Sequence, residues 1–189
     1  ANGNVTRMQD PAGFTFNTYD AFDHLTKVVR STDSLLGNSD DVAVTYTRDL
    51  AGNTKTTTYP DQTVVEYEYD ANDRLTKVAQ GTNVTLYTYY ADGQLKSATL
   101  PNGIISTYAY DDAAGRLTEI THQDAAGQLI TSLRYTLDPN GNRTSLEVRR
   151  PNAASADQSD FLSGLYQYQY DTLNQLIRTF YPDGSVVSY

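Results

Sequence analysis

Large side chains alternate with polar ones in short runs along the chain. Val65, Tyr67 and Tyr69 are spaced by two, and Glu66 and Glu68 lie between them. Alternate residues share one face of a strand, so this pattern predicts a β-strand with its rings on one face and its carboxylates on the other. The same spacing occurs at Tyr87 and Tyr89, at Tyr108 and Tyr110, and at Tyr166, Tyr168 and Tyr170. No segment sustains a helical period, so the chain is predicted to be all-β.

Turn sequences separate these runs about every ten residues. One kind contains Pro followed by Asp, Asn or Ala and then Gly or Gln, at residues 11–13, 60–62, 101–103 and 182–184. The other kind begins with Asp and carries Gly or Asn shortly afterwards. Two turns of different kinds in alternation predict one antiparallel two-strand hairpin per sequence repeat.

The second kind of turn is the core of an internal repeat. Residues 19–28 return almost unchanged as residues 69–78, and further copies begin at positions 48, 89, 110, 137 and 170. The intervals between the first positions are 29, 21, 20, 21, 27 and 33 residues. The base period is therefore about 20 residues, and the chain holds about eight repeats.

The residue types of the repeat suit a tight turn. In Tyr-Asp-x-x-Gly, the Asp side chain can accept a backbone N–H two residues on, and Gly supplies the positive φ that closes the turn. Asp23, Asp73 and Asn174 replace Gly with types that tolerate the left-handed region. The predicted structural motif residues are Tyr19, Asp20, Tyr69, Asp70, Tyr89, Gly93, Tyr110, Asp111, Gly115, Asp138, Gly141, Tyr170 and Asp171.

The tyrosines before each turn suggest that the sheet could also bind a ligand. Hairpins stacked at the strand spacing of about 4.8 Å are expected to align these rings into ladders. A buried Tyr needs a partner for its hydroxyl, so the ring tips are expected near polar groups or water. Tyr67 and Tyr108 are the candidates for stacking against a ligand.

Composition narrows the classes of function. The 189 residues include no Cys, no Trp and 16 Tyr, and the formal charge is −9. The lack of thiols excludes a zinc ribbon and a disulfide scaffold, and the acidic balance disfavours nucleic acid as a partner. No stretch approaches the roughly 18 apolar residues of a membrane helix, so membrane insertion is not expected.

Residues with catalytic or metal-binding chemistry are scattered. His24 and His122 are far apart, and His24 falls at the turn position that Arg occupies in another copy. The acid pairs at residues 40–41 and 111–112 lack the spacing of a calcium loop, although calcium remains a minor alternative there. No nucleophile elbow, phosphate loop or dinucleotide fingerprint occurs, so we predict no enzyme activity, no metal site and no cofactor.

The recurring Tyr-Asp with a following Gly, then Arg-Leu or Asn-Arg-Thr, resembles the YD repeat of the RHS family. That family includes bacterial polymorphic toxins, Tc toxin C components and teneurins. The resemblance implies a long ribbon of β-hairpins that curves and spirals into a hollow shell, which in bacterial members encloses a toxin domain. Residues 10–14 and 138–142 faintly resemble the family's self-cleavage motif, Asp-Pro-x-Gly-Leu, but neither has the Leu, and regular turns are expected there.

The resemblance leads to a prediction for the whole chain. Residues 1–189 are expected to form one segment of such a shell, with both ends cut within a repeat and with mobile spacers at 31–41 and 150–163. The expected role is structural, in a secreted or cell-surface bacterial protein, with the rest of the same polypeptide and its cargo as partners. The alternative is a module that binds a glycan or a cell-surface protein through exposed Tyr ladders. Bare strand edges also predict self-association.

Overall fold

The computed structural model describes residues 3–37, 39–111, 114–150 and 163–189. Within these ranges all regular elements are β-strands, and sixteen of them form one sheet in which hydrogen-bonded neighbours follow the order of the chain. Neighbouring strands pair antiparallel, for example β6 with β7 and β10 with β11. The predicted all-β architecture of consecutive antiparallel hairpins is confirmed.

The strands are short, and the chain divides into two compact units, Ala1–Leu86 and Tyr87–Tyr189. The first unit contains β1 (Arg7–Asp10), β2 (Gly13–Tyr19), β3 (Leu25–Ser31), β4 (Val42–Arg48), β5 (Thr54–Thr58), β6 (Val64–Tyr69), β7 (Leu75–Gln80) and the start of β8 (Asn83–Tyr89). The second contains the end of β8 and then β9 (Leu95–Thr99), β10 (Ile105–Tyr110), β11 (Leu117–Gln123), β12 (Leu129–Leu137), β13 (Arg143–Arg149), β14 (Gly164–Tyr170), β15 (Leu176–Phe180) and β16 (Val186–Ser188).

The two faces of the sheet differ in chemistry. In the first unit, the register places Tyr67 opposite Val78 on one face and Glu68 opposite Lys77 on the other. In the second unit, Tyr108 lies opposite Ile120, and Thr107 lies opposite Thr121 on the reverse face. The alternation in sequence therefore becomes a face of tyrosines and aliphatic residues, here called the tyrosine face, and a face rich in hydroxyls and charges. The segregation matches the predicted placement of the rings and the carboxylates.

Few side chains are fully buried, because the sheet has a single layer. Those that are buried are small or branched: Val29, Ser31, Thr57 and Ala79 in the first unit, and Ala98, Ser106, Ser132, Val148 and Thr179 in the second. Neighbouring side chains can cover a small residue, whereas a large one on a single sheet stays half exposed. The accessible surface of the chain is 12425 Å², whereas a folded monomer of this mass, 20.9 kDa, exposes about 9,000 Å².

The two predicted spacers differ in how much of each the structure describes. Apart from its ends, the spacer at 150–163 lies outside the described residues. In the spacer at 31–41, the Ser31 hydroxyl donates to the Leu35 carbonyl at 3.2 Å, and the Gly37 N–H donates to the Asp41 carboxylate at 2.7 Å.

Candidate functional site: the repeated aspartate turn

The turn at Asp70 shows why the repeat needs its residues. Asp70 Oδ1 accepts the backbone N–H groups of Asn72 at 2.9 Å and Arg74 at 3.1 Å, and Oδ2 accepts Nε of Arg74 at 2.7 Å. The Asp73 N–H donates to the Asp70 carbonyl at 3.1 Å, and the Asp70 N–H donates to the Arg74 carbonyl at 2.9 Å. One carboxylate thus fixes both the backbone of the turn and the side chain that follows it.

The same carboxylate geometry recurs in other hairpins. Oδ1 of the turn aspartate accepts two backbone N–H groups at Asp20, Asp49, Asp111 and Asp171. At Asp111 both donors lie one residue further on, at Ala114 and Arg116, which accommodates the inserted residue of that copy. Asp138 accepts the N–H and the side-chain amide of Asn142 at 2.8 and 2.9 Å.

Sequence reasoning missed one turn of this kind. Asp124 Oδ1 accepts the N–H groups of Ala126 at 2.9 Å and Gln128 at 2.8 Å, between β11 and β12. The signal was present, because Asp124, Gly127 and Leu129 have the spacing of the motif. It was overlooked because no Tyr precedes Asp124 and because this turn takes the place of a Pro-containing turn.

These contacts lower the pKa of several turn aspartates. The Arg74 side chain holds the pKa of Asp70 below its usual value. The backbone N–H of His24 does the same for the pKa of Asp20, and that of Arg116 for the pKa of Asp111. Each interaction favours the ionised carboxylate, so the turn is best formed when its Asp is charged.

The Gly position of the turn, fourth from the Asp position and fifth in the copy with the inserted residue, has a positive φ, as predicted. Gly93, Gly115 and Gly141 have φ of 94°, 64° and 90°, and Asp23, Asp73 and Asn174 have φ of 65°, 60° and 62°. The prediction for these three non-glycine residues is confirmed. Gln62, in a Pro-containing turn, also has a positive φ of 68°. Gln lacks the short polar side chain that eases this conformation, so its backbone there is strained.

The side chain after this position links one turn to the next turn on the same edge. In the first unit, Nδ2 of Asn53 donates to its own Asp49 at 3.3 Å and to Asp73 of the next such turn at 2.7 Å. The same kind of link joins Asn4 to Asp23, Gln94 to the Gly115 carbonyl, Arg116 to the Asp138 carbonyl, and Asn142 to Asn174. These contacts, here called the turn relay, hold neighbouring hairpins in register at their ends.

A register shift before each Asp explains the Leu-Thr that follows the turn. At Glu68/Tyr69 the pairing slips by one residue, so that Tyr69 lies opposite Leu75. Thr76 then folds back and donates its hydroxyl to the Glu68 carbonyl at 3.1 Å. Thr26, Thr118 and Thr144 make the equivalent contact at 3.2 Å. The Leu thus lies opposite the Tyr of the motif, and the Thr satisfies a carbonyl left exposed by the bulge.

Some tyrosine rings meet in edge-to-face pairs: the centroids of Tyr90 and Tyr110 lie 6.1 Å apart, and those of Tyr166 and Tyr181 lie 5.8 Å apart. The register sets Tyr67 opposite Val78, Tyr108 opposite Ile120 and Tyr168 opposite Thr179. At these positions the next strand carries no Tyr opposite the ring, because each hairpin contributes two strands to the sheet. The predicted ladder of adjacent rings is therefore wrong at Tyr67 and Tyr108.

Tyrosine hydroxyls instead connect hairpins through the backbone. The hydroxyls of Tyr19, Tyr90 and Tyr170 donate to the carbonyls of Val5, Tyr108 and Arg143, each at 3.0 Å. Burial raises the pKa of Tyr69, Tyr110 and Tyr168. The hydroxyls of Tyr19, Tyr90 and Tyr170 thus have the polar partners that the sequence predicted.

The residues with candidate chemistry are dispersed in the structure. His24 Nδ1 lies 3.2 Å from Asp20 Oδ2 within one turn, and His122 Nδ1 lies 2.8 Å from the Ser106 hydroxyl. Ser106 is only 7% exposed. Over the described residues, no three His, Asp or Glu side chains come together as a metal site would require.

The Asp-Pro turns are ordinary parts of the sheet. Asp10 Oδ1 accepts the Ala12 N–H at 2.8 Å and pairs with Arg30 at 2.6 Å, and Asp138 occupies a regular repeat turn. In the part of the chain that the structure describes, no helix has the length and apolar character to span a bilayer.

Comparisons with known proteins match this geometry. The RHS Repeat family model matches residues 48–85 and 89–129. The toxin subunit YenC1 of Yersinia entomophaga is 36% identical over 98 residues, which make up 48% of this chain and 10% of that protein. The crystal structure of TcdB2-TccC3-Cdc42 aligns with 94% of this chain and 9% of its own, at a TM-score of 0.75 and 22% identity.

A second solved structure gives the same result. The Photorhabdus luminescens Tc holotoxin pore aligns with 94% of this chain and 9% of its own, at a TM-score of 0.72 and 22% identity. The chain thus spans about a tenth of the length of the relatives it matches. Fold and turns together define an antiparallel β-hairpin repeat protein. Residues 48–85 and 89–129 match RHS repeats, and the resemblance to the RHS/YD-repeat family seen in the sequence is confirmed by these similarities.

Proposed function

We propose that this chain is a non-catalytic structural segment of an RHS-type shell that encloses a toxin or other cargo in the full-length protein. The partners are the remainder of the same polypeptide and the enclosed cargo, and the protein is secreted by a bacterium. The observation that carries the proposal is the single-layer sheet, which exposes 12425 Å² where about 9,000 Å² is expected for its mass. A sheet with this excess surface is suited to be part of a larger wall.

The chemistry of the turns supports a structural role. The recurring contact in this chain is a carboxylate that organises its own turn, together with a relay side chain that links it to the next such turn. Such contacts stabilise a continuous ribbon. The alternative, ligand stacking at Tyr67 and Tyr108, assumed a row of adjacent rings. The residues opposite these two tyrosines are instead Val78 and Ile120.

Protease protection in the full-length protein tests this function. The cargo region is expected to resist trypsin in the native protein and to be cleaved in the double variant Tyr67→Asp with Val78→Asp. That variant buries two carboxylates at one cross-strand pair and opens the wall there. Asn72→Asp, at an exposed turn tip, is the matched control and is expected to leave protection unchanged. Equal digestion of the cargo region in the native protein and in the double variant would contradict an enclosing shell.

A further inference from the structure

Two exposed apolar side chains project from neighbouring turns at one edge of the first unit. Phe22, at the tip of the Asp20 turn, is 81% exposed, and Leu50, at the tip of the Asp49 turn, is 109% exposed. The next turn along this edge carries Ala71 and Asn72 at its tip. The Phe22 ring lies 6.3 Å from that of His24, yet both apolar side chains remain largely exposed. Neighbouring exposed apolar residues are typical of an interaction site.

A groove of about 560 Å³ lies between these two turns. Its lining includes Phe22, His24, Thr26, Tyr46 and Leu50. Volumes of about 300–1,000 Å³ hold a small ligand or a few side chains. The groove therefore has room for a short stretch of polypeptide, and the two tips would flank it.

The negative charge of this edge favours a basic partner. Asp20 and Asp49 line the groove, and Asp23 and Asp73 lie on the same edge, where their side chains accept the amides of Asn4 and Asn53. The single guanidinium in the groove, that of Arg48, is directed inward and donates to Thr54 Oγ1 at 2.9 Å. The exposed edge is therefore acidic. A second copy of a chain with a charge of −9 is repelled by it, whereas a basic segment is attracted.

We propose that this groove, here called the Phe22–Leu50 groove, docks a segment of a second polypeptide in which an apolar side chain is flanked by Lys or Arg. The apolar side chain enters between Phe22 and Leu50, and the cations approach Asp20 and Asp49. Burial of the two tips supplies most of the affinity, and the carboxylates select basic over acidic sequences.

Titration of the 15N-labelled chain with two defined peptides tests the proposal. The probes are the acetylated, amidated peptides Leu-Lys-Phe-Lys-Leu and Leu-Glu-Phe-Glu-Leu. The basic peptide is expected to shift the amide signals of residues 20–24 and 48–52, and its affinity is expected to fall about tenfold or more between about 0.05 and 0.5 M salt. The acidic peptide is expected to cause no saturable shift.

Variants locate the binding site and distinguish specific docking from non-specific hydrophobic binding. Phe22→Ser with Leu50→Ser is expected to weaken the basic peptide at least about tenfold, while the spectrum elsewhere stays unchanged because both side chains are exposed. Leu173→Ser is the matched control, since Leu173 is a turn tip that is 73% exposed in the second unit. Equal binding of both peptides, shifts that map elsewhere, unchanged binding in the double variant, or no binding of the basic peptide would each overturn the proposal.

Discussion

At the scale of the residue, the carboxylate of one aspartate organises the backbone of a hairpin turn. Asp70 holds two backbone N–H groups with one oxygen and the Arg74 side chain with the other. Because the Gly position must adopt a positive φ, the identity of the residue there also affects stability. The chain offers natural variation at both positions, which makes each contribution measurable.

Removal of the turn carboxylate is expected to destabilise the sheet in a graded way. Asp70→Asn keeps an acceptor for the backbone N–H groups but loses the ion pair with Arg74, which has an N–O distance of 2.7 Å. Asp70→Ala loses both. We therefore expect the urea midpoint to fall more for Asp70→Ala than for Asp70→Asn. Equal midpoints for the wild type and Asp70→Ala would contradict the assigned role.

The strained Gln62 predicts a stabilising substitution. Gln62→Gly allows the φ of 68° without a side-chain clash, so the free energy of unfolding is expected to rise by about 1 kcal/mol. Gly184→Gln is the reverse change at the equivalent turn, where φ is 83°, and it is expected to destabilise by a similar amount. Urea unfolding of both variants measures the pair. If both substitutions changed the free energy of unfolding in the same direction, the positive φ would not be the cause of the changes.

Stability should also depend on pH through these carboxylates. The pKa values of Asp20, Asp70 and Asp111 are lowered in the folded chain from a starting value of 3.8. Their contribution is thus complete above the unfolded pKa and is lost as pH falls through the lower folded pKa. We expect a urea midpoint that is steady above about pH 5 and declines below about pH 4. A midpoint that rises as the solution is acidified would contradict this assignment.

At the scale of the element, the hairpin is the unit of the fold, and the turn relay joins one hairpin to the next. Much of the hairpin was predictable from sequence: the strand periodicity, the turn aspartates and the left-handed residues Asp23, Asp73 and Asn174 all follow from local chemistry. The relay was not predictable, because Asn53 and Asp73 are separated by a whole hairpin and no local spacing marks their contact. The Asp124 turn was missed for lack of a preceding Tyr.

Breaking one relay contact should weaken the association of two hairpins. Asn53→Ala removes the hydrogen bonds of Nδ2 to Asp49 and Asp73, at 3.3 and 2.7 Å. The expected loss is about 1 kcal/mol of unfolding free energy. Asn72→Ala, at an exposed turn tip in the next hairpin, is the control and is expected to be neutral. If the two variants unfolded at the same urea concentration, the relay would have no energetic role.

The tyrosine ring is expected to matter more than its hydroxyl. Tyr108 lies opposite Ile120 on the tyrosine face, so Tyr108→Ala should cost about 1–2 kcal/mol of unfolding free energy by loss of apolar burial. Tyr108→Phe keeps the ring and is expected to be nearly neutral. Urea unfolding distinguishes them. A large loss for Tyr108→Phe would assign the residue a polar role instead.

At the scale of the whole molecule, a single layer of strands leaves backbone edges and broad faces exposed. The terminal strand β16 is wholly exposed and carries Val186 and Val187. An apolar strand edge is a template for pairing with another chain. The net charge of −9 opposes such pairing, and salt screens that repulsion.

The isolated chain is therefore expected to self-associate as salt is raised. Light scattering should show a mass that increases between about 0.05 and 0.5 M NaCl. Val187→Lys, on β16, is expected to reduce the increase, while Val64→Lys, at an exposed position of the internal strand β6, should not. A mass that stays monomeric at every salt concentration would contradict edge pairing.

Cryo-electron microscopy of the full-length protein is the most direct test of whether this chain forms part of the wall of an enclosing shell. We expect residues 1–189 to form consecutive hairpins in the wall of a closed hollow body, with density for cargo inside. A map in which these hairpins have solvent on both faces and enclose nothing would contradict it.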